Sequence, residues 1–303
     1  MRYATIRQRN ELRLLVGREG RYLPVDRLAA MGGDYSLASF RDFGDVVRAG
    51  PAALAAISSA FESAEHSAET AEDLAESDLA GQSFAPPVLA PRSIVCIGRN
   101  YLDHIKEGGS PVPPEPILFS KYANTLVGHE EPVICHRITS QLDYEGELAI
   151  VIGSHASLVS RDEAMSFVAG YTVINDISAR DLQLGDVQWI RGKSLDTFAP
   201  LGPILVTSDE IDDWRQLRIV TTVNGEVRQD ATCADMIFGI PELIEFITQG
   251  ITLEAGDIVA TGTPAGTGIG FDPPKWLSPG DTVEVTIAGI GTLRSPIVAD
   301  TRP

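Results

Sequence analysis

Apolar and polar positions divide the chain into two stretches of different character. The first opens with RYATIR, ELRLLVG and RYLPV, short runs that read as strands, with Gly17 and Gly20 near the turn between the last two. Residues 51–78 are then rich in Ala and Glu with Pro51 near the start, which predicts helix. The segment from Gly81 to Arg92, GQSFAPPVLAPR, carries three prolines and no helical period, and so predicts a linker. Beyond it ELAIVIG, FVAGYTVIND, LGPILVT, LRIVTTV, DIVATG and DTVEVTIAG, bounded by Gly, Pro and Asp, predict a β-rich body. Within that body Asn224-Gly225 predicts a type I′ hairpin. IPELIEFITQG predicts a helix, with Pro241 near its start and Gly250 at its end. The expected division is a small N-terminal domain over 1–80, a linker over 81–92 and a catalytic domain over 93–303.

Composition narrows what such a body does. Of 303 residues 44% are hydrophobic and 22% charged, which suits a globular protein with a sizeable core. Asp and Glu outnumber Lys and Arg by 42 to 24, a formal charge of -18, so a phosphate backbone or an anionic membrane is repelled and neither is an expected partner. An anionic small molecule still fits if a metal ion and a few basic side chains reverse the field in one pocket. Cys96, Cys135 and Cys233 are odd in number and outside any CxxC pair, which argues against a disulfide framework and a thiolate zinc site. With no apolar stretch of signal-peptide length at the N-terminus, a cytoplasmic protein is expected.

The candidate chemistry is carboxylate-based. In DYEGELAIVIG, Glu145 and Glu147 stand two apart at the entrance to an apolar strand and project from one face. Such a pair repels unless a cation or a proton lies between them, although an ExE pair also describes a solvated strand face. In FVAGYTVINDISARDLQ, Asp176 ends an apolar strand, where it is either a ligand or a plain helix N-cap. Arg180 and Gln183 follow four and seven residues later, on the same face if the segment is helical. Three oxygen ligands without a Cys or His cluster suit Mg²⁺ or Mn²⁺ rather than zinc. In YLDHIKEGG, His104 and Glu107 are one helical turn apart, either a general base with its partner or an ordinary surface pair. The Gly- and Pro-rich GGSPVPPEP that follows predicts a mobile lid. Lys121 either ends a strand or reaches the pocket. His66, His129, His136 and His155 lack partners at useful spacing and receive no role.

IGRNYLDHIKE, SQLDYEGELAIVIG, VINDISARDLQ, GKSLDTFAPLGP and ATGTPAGTG, in that order over roughly Ile94 to Pro296, resemble the fumarylacetoacetate hydrolase superfamily. The chain is similar to its long form, as in oxaloacetate decarboxylases and acylpyruvate hydrolases. The resemblance implies an α+β, β-rich fold: a mixed β-roll catalytic domain with a small α/β N-terminal domain. It also implies a divalent metal, Mg²⁺ or Mn²⁺, held by Glu145, Glu147 and Asp176, with Arg180 and Gln183 facing the substrate. By the same pattern Lys193 donates to a substrate oxygen, Thr263 rather than Thr261 meets its carboxylate, and His104 and Glu107 form a lid dyad. A homodimer is implied as well. The expected activity is metal-dependent C–C cleavage of a small 2-oxo acid through an enolate, with oxaloacetate decarboxylation placed first. Acylpyruvate or fumarylpyruvate hydrolysis, and isomerisation or hydration of a 2-oxo-enoic diacid, are the alternatives. A catalytically idle 2-oxo acid binding protein is the alternative of another class.

Overall fold

The computed structural model describes residues 1–8, 11–18, 20–65, 74–75, 79 and 81–302. The opening runs form an antiparallel meander of Arg2–Gln8, Glu11–Arg18 and Arg21–Pro24, followed by helices Val25–Gly32, Phe43–Ala49 and Pro51–Glu65. The helix expected over 51–78 is therefore shorter in the described residues. Most of its second half lies outside them, and Leu74–Ala75 is a strand on Arg21–Tyr22. Helix propensity there yields to the ladder hydrogen bonds offered by an open strand edge. The segment read as a linker is seated in the fold. Ser83–Ala85 pairs with Thr5–Arg7, and Phe84, Ala85 and Val88 are buried.

One large sheet runs through both stretches of the chain. Its order is Leu74–Ala75, Arg21–Pro24, Glu11–Arg18, Arg2–Gln8, Ala199–Thr207, Val168–Asn175, Gly146–Ile152, Ile258–Ala260, Ile94–Gly98 and Ile117–Lys121. A second, five-stranded sheet runs Glu226–Thr232, Arg218–Val223, Thr282–Ile287, Gly291–Ala299 and Val133–Cys135. It covers one face of the large sheet's central strands, and the N-terminal helices cover part of the other.

The central strands are apolar at almost every position because both faces are buried. Along Gly146–Ile152, Leu148, Ile150 and Ile152 enter one core, whereas Ala149 and Val151 enter the core shared with the N-terminal helices. Ile94–Gly98 repeats the pattern, with Val95 and Ile97 on the first side and Ile94 and Cys96 on the second. Asn224 and Gly225 make the expected hairpin turn, with φ of 52° and 80° as type I′ requires. Ile240–Thr248 is the expected helix, with Pro241 in its first turn. Among the described residues no helix is long and apolar enough to cross a membrane.

Candidate active site

Strand register builds the site. Gly146–Ile152 and Val168–Asn175 are antiparallel with Gly146 opposite Asn175, so the residue before the first strand and the residue after the second become neighbours. Asp176 N–H donates to the Glu145 carbonyl at 2.8 Å. Glu145, Glu147 and Asp176 each offer a carboxylate oxygen, all within 4.8 Å of one another, and all three side chains are buried. Gly146, between the two glutamates, has no room for a side chain, since a Cβ would come 2.2 Å from Thr221 Oγ1 on the five-stranded sheet. Asp176 is not a helix cap: the following helix, Arg180–Gly185, begins after Ala179.

Buried cations surround the triad. Lys193 Nζ lies 2.6 Å from Glu145 Oε2 and 2.8 Å from Asp176 Oδ2. Lys121 Nζ lies 2.6 Å from Asp176 Oδ1 and donates to the Ile177 carbonyl at 3.0 Å. Arg180 pairs with Glu145 at 2.7 Å and Asp143 at 2.8 Å, and donates to Gln183 Oε1 at 3.0 Å. Burial acts to raise the Glu145 carboxyl, but Lys193 and Arg180 outweigh it and hold the group well below the usual carboxylate range. At Glu147 burial, then Asp176 and Glu145, push the carboxyl well up, against a hydrogen bond of 2.8 Å from Gly262 N–H. The attraction of Lys193 is too weak to offset them. A buried all-oxygen set in which one carboxylate is still opposed by its neighbours fits a hard divalent cation, which would remove that repulsion.

Of the triad, Glu145 opens onto a cavity of about 190 Å³, whose walls also include His104, Arg180, Gln183, Lys193 and Thr263. His104 sits in the short helix Leu102–Glu107, its Nδ1 3.3 Å from Glu107 Oε2. The other Glu107 oxygen accepts from Gly266 N–H at 3.0 Å. Gly270 makes room for that carboxylate, since a Cβ there would come 2.0 Å from Glu107 Cδ. Of the two threonines, Thr263 lines the cavity, whereas the Thr261 hydroxyl is fully buried and donates to the Leu148 carbonyl at 2.9 Å. All nine residues singled out in the sequence thus lie in or beside one site. His129 and His136 hold backbone groups instead: His129 Nδ1 accepts from Arg294 N–H, and His136 Nε2 lies 3.0 Å from the Asp196 carbonyl.

Two site residues went unassigned in the sequence. Lys121, left open there, is a direct partner of Asp176. Asp143 is not among the sequence candidates; it is fully buried, accepts from Gly268 N–H at 2.6 Å and Ile269 N–H at 3.1 Å, and fixes Arg180. A signal for it exists, since Asp143 extends the period-two series of Glu145 and Glu147 by one step.

The family model for the C-terminal domain of fumarylacetoacetate (FAA) hydrolase matches residues 93–298. The chain belongs to the fumarylacetoacetate hydrolase family. Among its relatives is the oxaloacetate tautomerase YisK of Bacillus subtilis (strain 168), 51% identical over 216 residues, 70% of this chain and 72% of the relative. The human mitochondrial oxaloacetate tautomerase FAHD2A is 43% identical over 218 residues, 71% of this chain and 69% of the relative. Among solved structures, a fumarylacetoacetate hydrolase from psychrophilic Exiguobacterium antarcticum superposes with a TM-score of 0.83 at 36% identity, covering 99% of both chains. A probable 2-hydroxyhepta-2,4-diene-1,7-dioate isomerase from Mycobacterium abscessus gives 0.78 at 30% identity, covering all of both. Enzymes of the fumarylacetoacetate hydrolase family are generally divalent-metal dependent, this chain's β-rich fold is the family's, and its own buried carboxylate triad is a set that could hold such an ion.

Proposed function

We propose that this enzyme interconverts the keto and enol forms of oxaloacetate with Mg²⁺ or Mn²⁺ as cofactor. The observation that carries the reading is one small cavity whose walls bring His104, backed by Glu107, together with the cations Lys193 and Arg180 beside the carboxylate triad. Glu145, Glu147 and Asp176 would hold the metal, which when bound supplies a Lewis acid for the 2-oxo carboxylate. Lys193 and Arg180 offset the negative charge that develops on O2, while Gln183 and Thr263 orient the substrate. Glu107 engages His104 Nδ1, which leaves Nε2 to take the proton from C3. The C3–H bond breaks as His104 takes the proton, His104 returns a proton to O2 to form the O2–H bond of the enol and is neutral again, and no carbon–carbon bond changes. The Gly- and Pro-rich segment after His104 would close over the bound substrate.

Decarboxylation of oxaloacetate stood first on sequence grounds. Two observations favour tautomerisation over it: relatives at 51% and 43% identity are oxaloacetate tautomerases, and proton transfer at C3 needs a positioned base. Decarboxylation asks only that the departing carboxylate lie out of the enolate plane. It remains the second reading, since it passes through the same enolate. The test follows the ultraviolet absorbance of enol-oxaloacetate and, in parallel, pyruvate release, with the metal-only rate subtracted. Enol loss faster than pyruvate formation is expected. Pyruvate release as fast as enol loss would transfer the assignment to decarboxylase, and cleavage of acetylpyruvate without action on oxaloacetate would transfer it to hydrolase.

A further inference from the structure

Arg99 lines the same cavity and takes no part in the chemistry above. Its guanidinium carbon lies 5.8 Å from the Trp189 ring centroid, and Trp189 packs edge-on against Phe119 at 5.6 Å. Lys193 Nζ stands 4.9 Å over Phe119, so two cations rest on one aromatic wall. They differ in what they face. Lys193 is bound to Glu145 and Asp176, and Arg180 to Asp143 and Glu145. No carboxylate among the described residues pairs with Arg99, in a protein of net charge -18.

The backbone is arranged to present this side chain. Arg99 has φ of 60°, in the left-handed region where non-glycine residues are uncommon and which costs free energy to hold. Its neighbours hold it there. The Asn100 side chain donates to the Phe238 carbonyl at 3.0 Å and the Thr261 carbonyl at 2.7 Å, and accepts from Phe238 N–H at 2.8 Å. On the other side Gly98 lets the indole approach, since a Cβ would come 2.6 Å from Trp189. Stacking on the indole restrains the guanidinium while its N–H edge stays available for a planar anion.

We infer that Arg99 selects the substrate by taking the distal carboxylate of a four-carbon 2-oxo diacid, the 2-oxo end lying at Lys193 and Arg180. This rests on the proposed reaction for the placement of the 2-oxo end. It accounts for a cavity whose walls carry three strong cations and a single carboxylate, and it disfavours acylpyruvates with uncharged tails.

The test is calorimetric titration of the full chain, saturated with Mn²⁺, with L-malate, L-lactate and oxalate. Malate and lactate share a 2-hydroxy carboxylate, and only malate has a distal carboxylate; oxalate probes the metal end alone. In the wild type malate binds more tightly than lactate. Arg99→Gln should weaken malate roughly ten- to a hundredfold, the usual loss for a hydrogen bond to a charged group, and leave lactate and oxalate unchanged. Arg99→Lys should recover part of the loss. Equal binding of malate and lactate by the wild type overturns the assignment, as does Arg99→Gln weakening all three ligands alike or none. None of these readouts needs turnover. If oxaloacetate is not tautomerised yet malate selectivity follows Arg99, only the proposed reaction falls; if tautomerisation holds without that selectivity, only the role of Arg99 falls.

Discussion

Replacing Glu147 by Gln should stabilise the metal-free protein and abolish its response to metal, two effects of opposite sign from one change. The side chain is buried, with Asp176 and Glu145 close enough to push its carboxyl well above the ordinary 4.5. The sign with pH follows from linkage. A carboxyl raised in the folded state loses its proton more easily in the unfolded chain, so its contribution to stability becomes more negative as pH rises from about 4.5 towards the folded pKa. Gln has no proton to lose. Its amide keeps an acceptor for Gly262 N–H and offers N–H groups to the neighbouring carboxylates, bonds worth about 1.5–3 kcal/mol each when the acceptor is charged. Metal-free Glu147→Gln should therefore unfold at a higher temperature than wild type, by a margin that widens with pH. The wild type, with Mn²⁺ at a hundred times its dissociation constant, should gain about 2.7 kcal/mol. At roughly 2.1 cal/mol/K of unfolding entropy per residue over 303 residues, that is a rise in melting temperature of about 4 °C. The variant should show none. Differential scanning calorimetry from pH 5 to pH 8, with chelator and with Mn²⁺, measures both effects. A full metal shift in Glu147→Gln would refute the ligand assignment, and a metal-free variant less stable than wild type at pH 8 would refute the electrostatic account.

The remaining predictions concern the base, its support, the lid and the assembly. His104→Ala should cost at least about 10²-fold in turnover while the metal-induced melting shift persists; loss of that shift would show that His104 supports the metal site instead. Gly270→Ala should displace Glu107, whose Cδ lies 2.0 Å from the new Cβ, and lower kcat/KM with little change in melting temperature; unchanged kcat/KM would mean that Glu107 is not needed beside His104. Oxalate should slow hydrogen exchange over residues 100–116, and equal protection with and without it would remove the lid. Sedimentation at micromolar concentration should give about twice 32.5 kDa, because the β-rich body has strand edges to cover; a monomeric mass would refute the dimer.

Much of this was legible along the chain because the information is local. The apolar runs place the central strands, since a strand buried on both faces reads as unbroken Val, Ile, Leu and Ala. Asn224-Gly225 determines its turn through the φ values those two residues tolerate. Spacing of two put Glu145 and Glu147 together, and spacing of three put His104 beside Glu107. Each of these contacts is made within a few residues of sequence.

What joins the elements was decided only in three dimensions. Asp176 meets Glu145 because Gly146 pairs with Asn175, a register that neither strand specifies alone. Lys121 belongs to an end strand of the sheet, four places from Val168–Asn175, yet its amine reaches Asp176. A lysine at a strand's end is polar and unremarkable in sequence; its burial against a carboxylate depends on which distant strand the fold brings to it. The N-terminal strands likewise read as a separate unit, but Arg2–Tyr3 pairs with Leu205–Val206 and extends the same sheet. Backbone hydrogen bonds carry no residue identity, so an open edge accepts any strand that the surrounding core brings beside it.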